Sequence, residues 1–141
     1  MIQMENLTDF QVSTELLEKI AKYLTDRDVE LILCDNDFIQ TINSKYRRKD
    51  DPTDVLSFPI RGGREHEPVG SIVVSMDQVI EKSEELSHSP QDELALLFTH
   101  GLLHLLGFNH EKDQGEMREK EEKVIWRFGL PASLIVRSEG N

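Results

Sequence analysis

The chain has one cysteine, Cys34, so no disulfide can form within it. Cys34 lies in the apolar run Val29–Cys34 and reads as a small buried core residue. No apolar run approaches the ~20 residues that a membrane-spanning helix needs. No basic segment followed by an apolar one stands in Met1–Asn6. No secretory signal is therefore visible, and the cytoplasm is the expected compartment, with no membrane partner. Positive charge is scarce: 16 Lys and Arg face 27 Asp and Glu, for a net charge of −11. A body so acidic does not attract nucleic acid as a whole and needs a local basic patch to bind it. Internal repeats and low-complexity segments are missing too. What remains, 141 residues with 38% hydrophobic and 30% charged side chains, suits a single globular domain over 1–141 with a proper core.

Helical and strand periodicities alternate irregularly along the chain. Residues 1–8 hold a short first strand. Ser13 and Thr14 open a helix over about 13–25, with Glu15 and Glu18 in its first turn and Leu16, Leu17, Ile20, Ala21 and Leu24 inward. Val29–Cys34 is apolar enough to be a central strand. Asp35-Asn36-Asp37 is turn and cap chemistry before a short helix from Phe38 to about Lys45, with Ile39 and Ile42 inward. The run 53–60 predicts a strand whose Pro59 belongs at an edge or exit. A polar loop over 61–68 contains His66, expected to be solvated. Gly70–Ser75 is another strand, and Ser75 or Asp77 caps a helix over about 76–87. His88 falls in a turn and reads as a loop residue.

Pro90 and Gly107 bracket a helix that is apolar almost all round, which predicts a central, buried element. The last helix, about 111–128, is highly charged, with Met117, Val124, Ile125 and Phe128 as its apolar stripe. Gly129-Leu130-Pro131 stops it, and 138–141 reads as a frayed tail. The pattern predicts one α+β domain: a small mixed four-stranded sheet flanked by about five helices.

Three of the five histidines fall within His100–His110. His100 and His104 are four apart, so a helix stacks them on one face. Gly107 is a helix stop, and the turn it makes lets His110 swing back as a third ligand. Three imidazoles with a fourth position open are the form of a catalytic zinc site rather than a structural one. A structural role is the alternative, but burying imidazoles without partners costs about 1–3 kcal/mol each. Lys45, Arg47, Arg48 and Lys49 form the densest basic cluster.

The pattern His100-x3-His104-x5-His110 with Gly107 resembles the zinc motif of metzincin proteases, HExxHxxGxxH. Where that motif carries its glutamate base this chain has Gly101, so protease chemistry lacks its usual base. A closer resemblance is to the YbeY family of rRNA-maturation endoribonucleases, whose signature is similar to HGxLHLxG[YF]DH. The run 100–110 departs from it only at Asn109, where the family usually has Asp. Asn43 to Arg47 followed by Thr53 to Pro59 resembles the family block LNxxYR…TDVLSFP. Gly70–Ser75 resembles its strand GDIVIS, with Ser71 in place of Asp.

The resemblance implies that His100, His104 and His110 hold one Zn2+, a zincin-like site on the central helix, with His104 and Arg47 serving catalysis. Arg47 matches the family's functionally important arginine, and its alternative role is a surface salt bridge with Asp50 or Asp54. Lys45, Arg47, Arg48 and Lys49, joined by Arg61 and Arg64, would face RNA. The implied activity is cleavage of single-stranded RNA in 16S rRNA 3′-end maturation and ribosome quality control. The implied partners are ribosomal RNA, the small ribosomal subunit, and a small-subunit protein or assembly GTPase. Two other functions compete: a metal-dependent peptidase, and a non-catalytic assembly factor whose metal is structural.

Overall fold

The structure is a computed structural model, and it describes residues 1–60, 67–109 and 114–131. Among the described residues are four strands and five helices. Strands β1 (Ile2–Asn6), β2 (Val29–Cys34) and β4 (Gly70–Ser75) run parallel; β3 (Val55–Pro59) pairs antiparallel with β4. The order is β1-β2-β4-β3. This is the expected mixed sheet, with β2 inside it. Pro59 ends an edge strand, where its missing N–H breaks no ladder on the outer side.

Alternation along the strands decides which helix covers which face. Val29, Leu31 and Leu33 of β2, with Ile72 and Val74 of β4, enter the main core. There they meet α1 (Glu15–Leu24), α3 (Met76–Glu85) and α4 (Pro90–Leu105) through Leu17, Ile20, Val79, Leu94, Phe98 and Leu102. Cys34 and Val73 point the other way, against Ile39 of α2 (Asn36–Arg47). Helix α5 (Glu116–Arg127) packs on α4, where its Ile125 meets Leu96.

Helix α4 is the pivot, with eleven of its sixteen residues buried. Pro90 occupies its first turn, and Ser89 Oγ accepts from Asp92 N at 3.1 Å. At the other end Phe108 N donates to Leu103 O and Gly107 N to His104 O, both at 3.0 Å. Gly107 sits at φ +100°, so the stop expected there is a left-handed glycine cap.

Some boundaries differ from expectation. Helix α2 starts two residues before Phe38, because Asp35 caps it by accepting from Phe38 N at 2.8 Å. It also runs past Lys45 to Arg47, so part of the basic cluster is its last turn, where cations suit the helix dipole. The last helix begins at Glu116 rather than near 111, with Gly115 at φ +101° just before it. His88 lies in a turn as expected, but its side chain is only 2% exposed and its Nε2 donates to buried Glu93 Oε1 at 2.8 Å. His66, Arg61, Arg64, His110 and the tail 138–141 lie outside the described residues. No described helix is long and apolar enough to cross a membrane.

Candidate metal centre

The side of α4 that faces the sheet leaves no room at position 101. A Cβ on Gly101 would stand 2.9 Å from Ile72 Cγ2 and 3.1 Å from Ser57 Oγ. Ser57 Oγ also donates to the Gly101 carbonyl at 3.2 Å. Any side chain there would force Ile72 or Ser57 to move. Gly101 is thus closely packed against the sheet as well as lacking the protease base, and both weigh against the peptidase alternative.

One residue back and three on, His100 and His104 leave the sheet face together. Their rings meet edge-to-face with centroids 4.6 Å apart, and their Nε2 atoms are 3.1 Å apart. His104 Nδ1 lies 3.1 Å from the Phe108 carbonyl oxygen, which can only accept, so this nitrogen donates. His100 Nδ1 lies 2.9 Å from Glu121 Oε1 and donates to that carboxylate. Both rings are thus held by Nδ1 and turn Nε2 toward one point. Two imidazole nitrogens bound to one tetrahedral zinc at 2.0–2.1 Å would be roughly 3.3 Å apart, so the observed spacing fits a shared cation. His104 is exposed and His100 half-buried, which leaves the pair open to solvent. Among the described residues no third His, Cys, Asp or Glu completes a metal-binding group. The third ligand expected, His110, follows the half-buried Asn109, at which this described run ends.

Arg47 ends α2, exposed, on the face of the sheet opposite α4. It forms no ion pair among the described residues, so the salt bridge with Asp50 or Asp54 is not made. Lys45, Arg48 and Lys49 are exposed beside it. The structure brings these four cations together but shows no contact between Arg47 and the histidines. It does connect both to one strand. Phe58 of β3 meets the Tyr46 ring at 5.7 Å, while its neighbour Ser57 bonds to Gly101. Successive residues of an edge strand thus hold the basic end of α2 and the histidine turn of α4.

Two residues of the family-like blocks have structural roles. Asn43 is buried, and its Nδ2 donates to Asp51 O at 2.9 Å, closing the loop after the basic cluster. Ser71 stands in register with Glu30, and its Oγ donates to Glu30 Oε2 at 2.6 Å. An Asp at 71 would set two carboxylates side by side, whereas Ser supplies a donor.

A family model described as endoribonuclease YbeY matches residues 2–129. The chain belongs to the YbeY family. A protein of Aliarcobacter butzleri called "Endoribonuclease YbeY" is 55% identical, covering 98% of this chain and 99% of its own length. Its namesake in Wolinella succinogenes is 54% identical, over 99% of both chains. The solution structure of TM1509 from Thermotoga maritima is similar with a TM-score of 0.62 and 31% identity, covering 95% of each chain. The three YbeY-like sequence blocks thus sit in a chain that is YbeY-like from end to end. Sequence reasoning missed one residue beside the histidine pair, Glu121. The signal was its spacing: Met117, Glu121, Val124 and Ile125 form one buried stripe, and only Glu121 in it is polar.

Proposed function

We propose that the protein is a zinc-dependent endoribonuclease that cuts single-stranded RNA during rRNA maturation, at the 16S 3′ end, and in ribosome quality control. The observation that carries this is end-to-end similarity, above 50% identity, to proteins named endoribonucleases. The histidine pair supports it: two Nε2 atoms 3.1 Å apart fit one cation. His100, His104 and His110 would hold the zinc, which when bound supplies Lewis-acid chemistry at a phosphodiester. His104, the exposed member of the pair, would lie nearest the reacting phosphate. Arg47 would place a guanidinium on the phosphate, two N–H groups to two oxygens, and steady the charge that develops there. Lys45, Arg48 and Lys49 would neutralise neighbouring phosphates. The remaining acidic surface would confine RNA to this edge and offer a face to a basic small-subunit protein or an assembly GTPase. The cytoplasm is the compartment such a role requires.

The test is cleavage of a labelled single-stranded RNA and its duplex, side by side. Cleavage of the single strand only is expected, falling to background in His104→Ala. In Arg47→Ala it should fall on the order of 10²-fold, the usual loss for a transition-state donor. A His104→Ala protein that cleaves at the wild-type rate would sink the proposal.

A further inference from the structure

We propose that Glu121 is a positioning residue of the metal centre: its buried carboxylate, brought by α5, fixes His100 by Nδ1 so that Nε2 faces the cation. This rests on the zinc reading above. Glu121 is 1% exposed. A carboxylate so buried is costly unless charge or donors compensate it. Packing does not ask for it, since Met117, Val124 and Ile125 around it on α5 are apolar and equally buried. It accepts from His100 Nδ1 at 2.9 Å.

That bond has two consequences for a ligand histidine. It selects the tautomer whose Nε2 lone pair is available, and it places a negative charge behind the ring, which strengthens the hold on a cation. His104 is managed differently. Its Nδ1 donates to the Phe108 carbonyl, part of the same turn that ends α4. One ligand is therefore oriented by its own helix and the other by a helix 21 residues further on. Asn109 stands where the family usually has Asp; among the described residues, Glu121 brings a carboxylate to His100.

The experiment measures zinc affinity of the full chain by chelator competition, with zinc alone as the probe. Glu121→Gln keeps the shape and an acceptor oxygen but loses the charge; Glu121→Ala loses both. Zinc binding should weaken about 10-fold in the first and up to about 100-fold in the second, the range for removing such partners. If Glu121 acts through His100, Glu121→Gln should change nothing further in a His100→Ala background. Affinity of Glu121→Gln within twofold of wild type would overturn the proposal, as would an equal loss in both backgrounds. Should the variants not fold, nitrogen NMR of the wild-type histidines decides. His100 should carry its proton on Nδ1 before and after zinc, with only its Nε2 signal moving on metal addition. A proton on Nε2 in the metal-free protein, or no Nε2 change with zinc, overturns the proposal. Wild-type protein that binds no zinc would instead remove the zinc reading itself.

Discussion

A methyl group at Gly101 would press on Ile72 Cγ2 from 2.9 Å, and a β-branched neighbour in a sheet has little freedom to withdraw. Gly101→Ala gains about 1 kcal/mol of helix propensity but overpacks the α4–sheet contact by about 1–3 kcal/mol. The expected net result is a lower urea midpoint, and a stabilised variant would contradict this packing. Cys34 tests the core from another side. Burial first, then the nearby Asp35 and Asp77 carboxylates, push its thiol up to about 12 from 9.0. Its folded value is raised, so the unfolded chain ionises first. The contribution of the neutral thiol is whole below pH 9 and is lost as pH rises from 9 toward 12. Wild type should therefore lose stability across that window faster than Cys34→Ala. Native protein at pH 8 should resist thiol reagents until it is unfolded; rapid labelling would show that Cys34 is not where the structure puts it.

Among the elements, α2 and α4 would carry the proposed chemistry and α5 would support it. Most of this was legible in the residue order. β2 and β4 run over the residues expected, because continuous apolar runs bounded by turn residues leave little choice. Helix α4 announces itself by Pro90, Gly107 and leucines on nearly every side. The four-residue spacing of His100 and His104 implies two imidazoles on one face of a helix, and the structure puts them there with their Nε2 atoms 3.1 Å apart. What stayed hidden were side-chain pairings: Glu121 with His100, 21 residues away, and Glu93 with His88 across a turn. Charged residues in a charged helix look solvated, and only the neighbours that folding brings reveal otherwise. The reach of α2 to Arg47 was hidden too, because a dense cationic run resembles a loop until the helix dipole is counted. That basic end makes its own prediction. Replacing Arg47, Arg48 and Lys49 together by Ala should flatten the log–log salt dependence of RNA binding by about 2, near 0.7 per lost single-strand phosphate contact. An unchanged slope would place RNA elsewhere. The cap is separable from this: Asp35→Ala should cost about 1 kcal/mol in unfolding experiments without altering the salt slope.

At the scale of the molecule, a chain of net charge −11 gathers exposed cations at one end of α2 and a histidine pair at one end of α4. Both ends attach to β3, the edge of a sheet whose other strands do no chemistry. On the proposed function, the acidic remainder would keep RNA from binding indiscriminately and would suit a basic protein partner. The family is named for endoribonuclease activity, and Gly101, packed against Ile72 and Ser57, leaves this chain without the protease glutamate. On the proposed function, RNA cleavage depends on one cation held at the end of α4. The direct measurement is the cleavage rate of a single-stranded RNA by chelator-stripped protein as zinc is returned. The expected rate is near zero at the start and reaches its plateau at about one zinc per chain, the stoichiometry of a single three-histidine site. Full activity in the stripped protein, or no recovery on adding zinc, would contradict it.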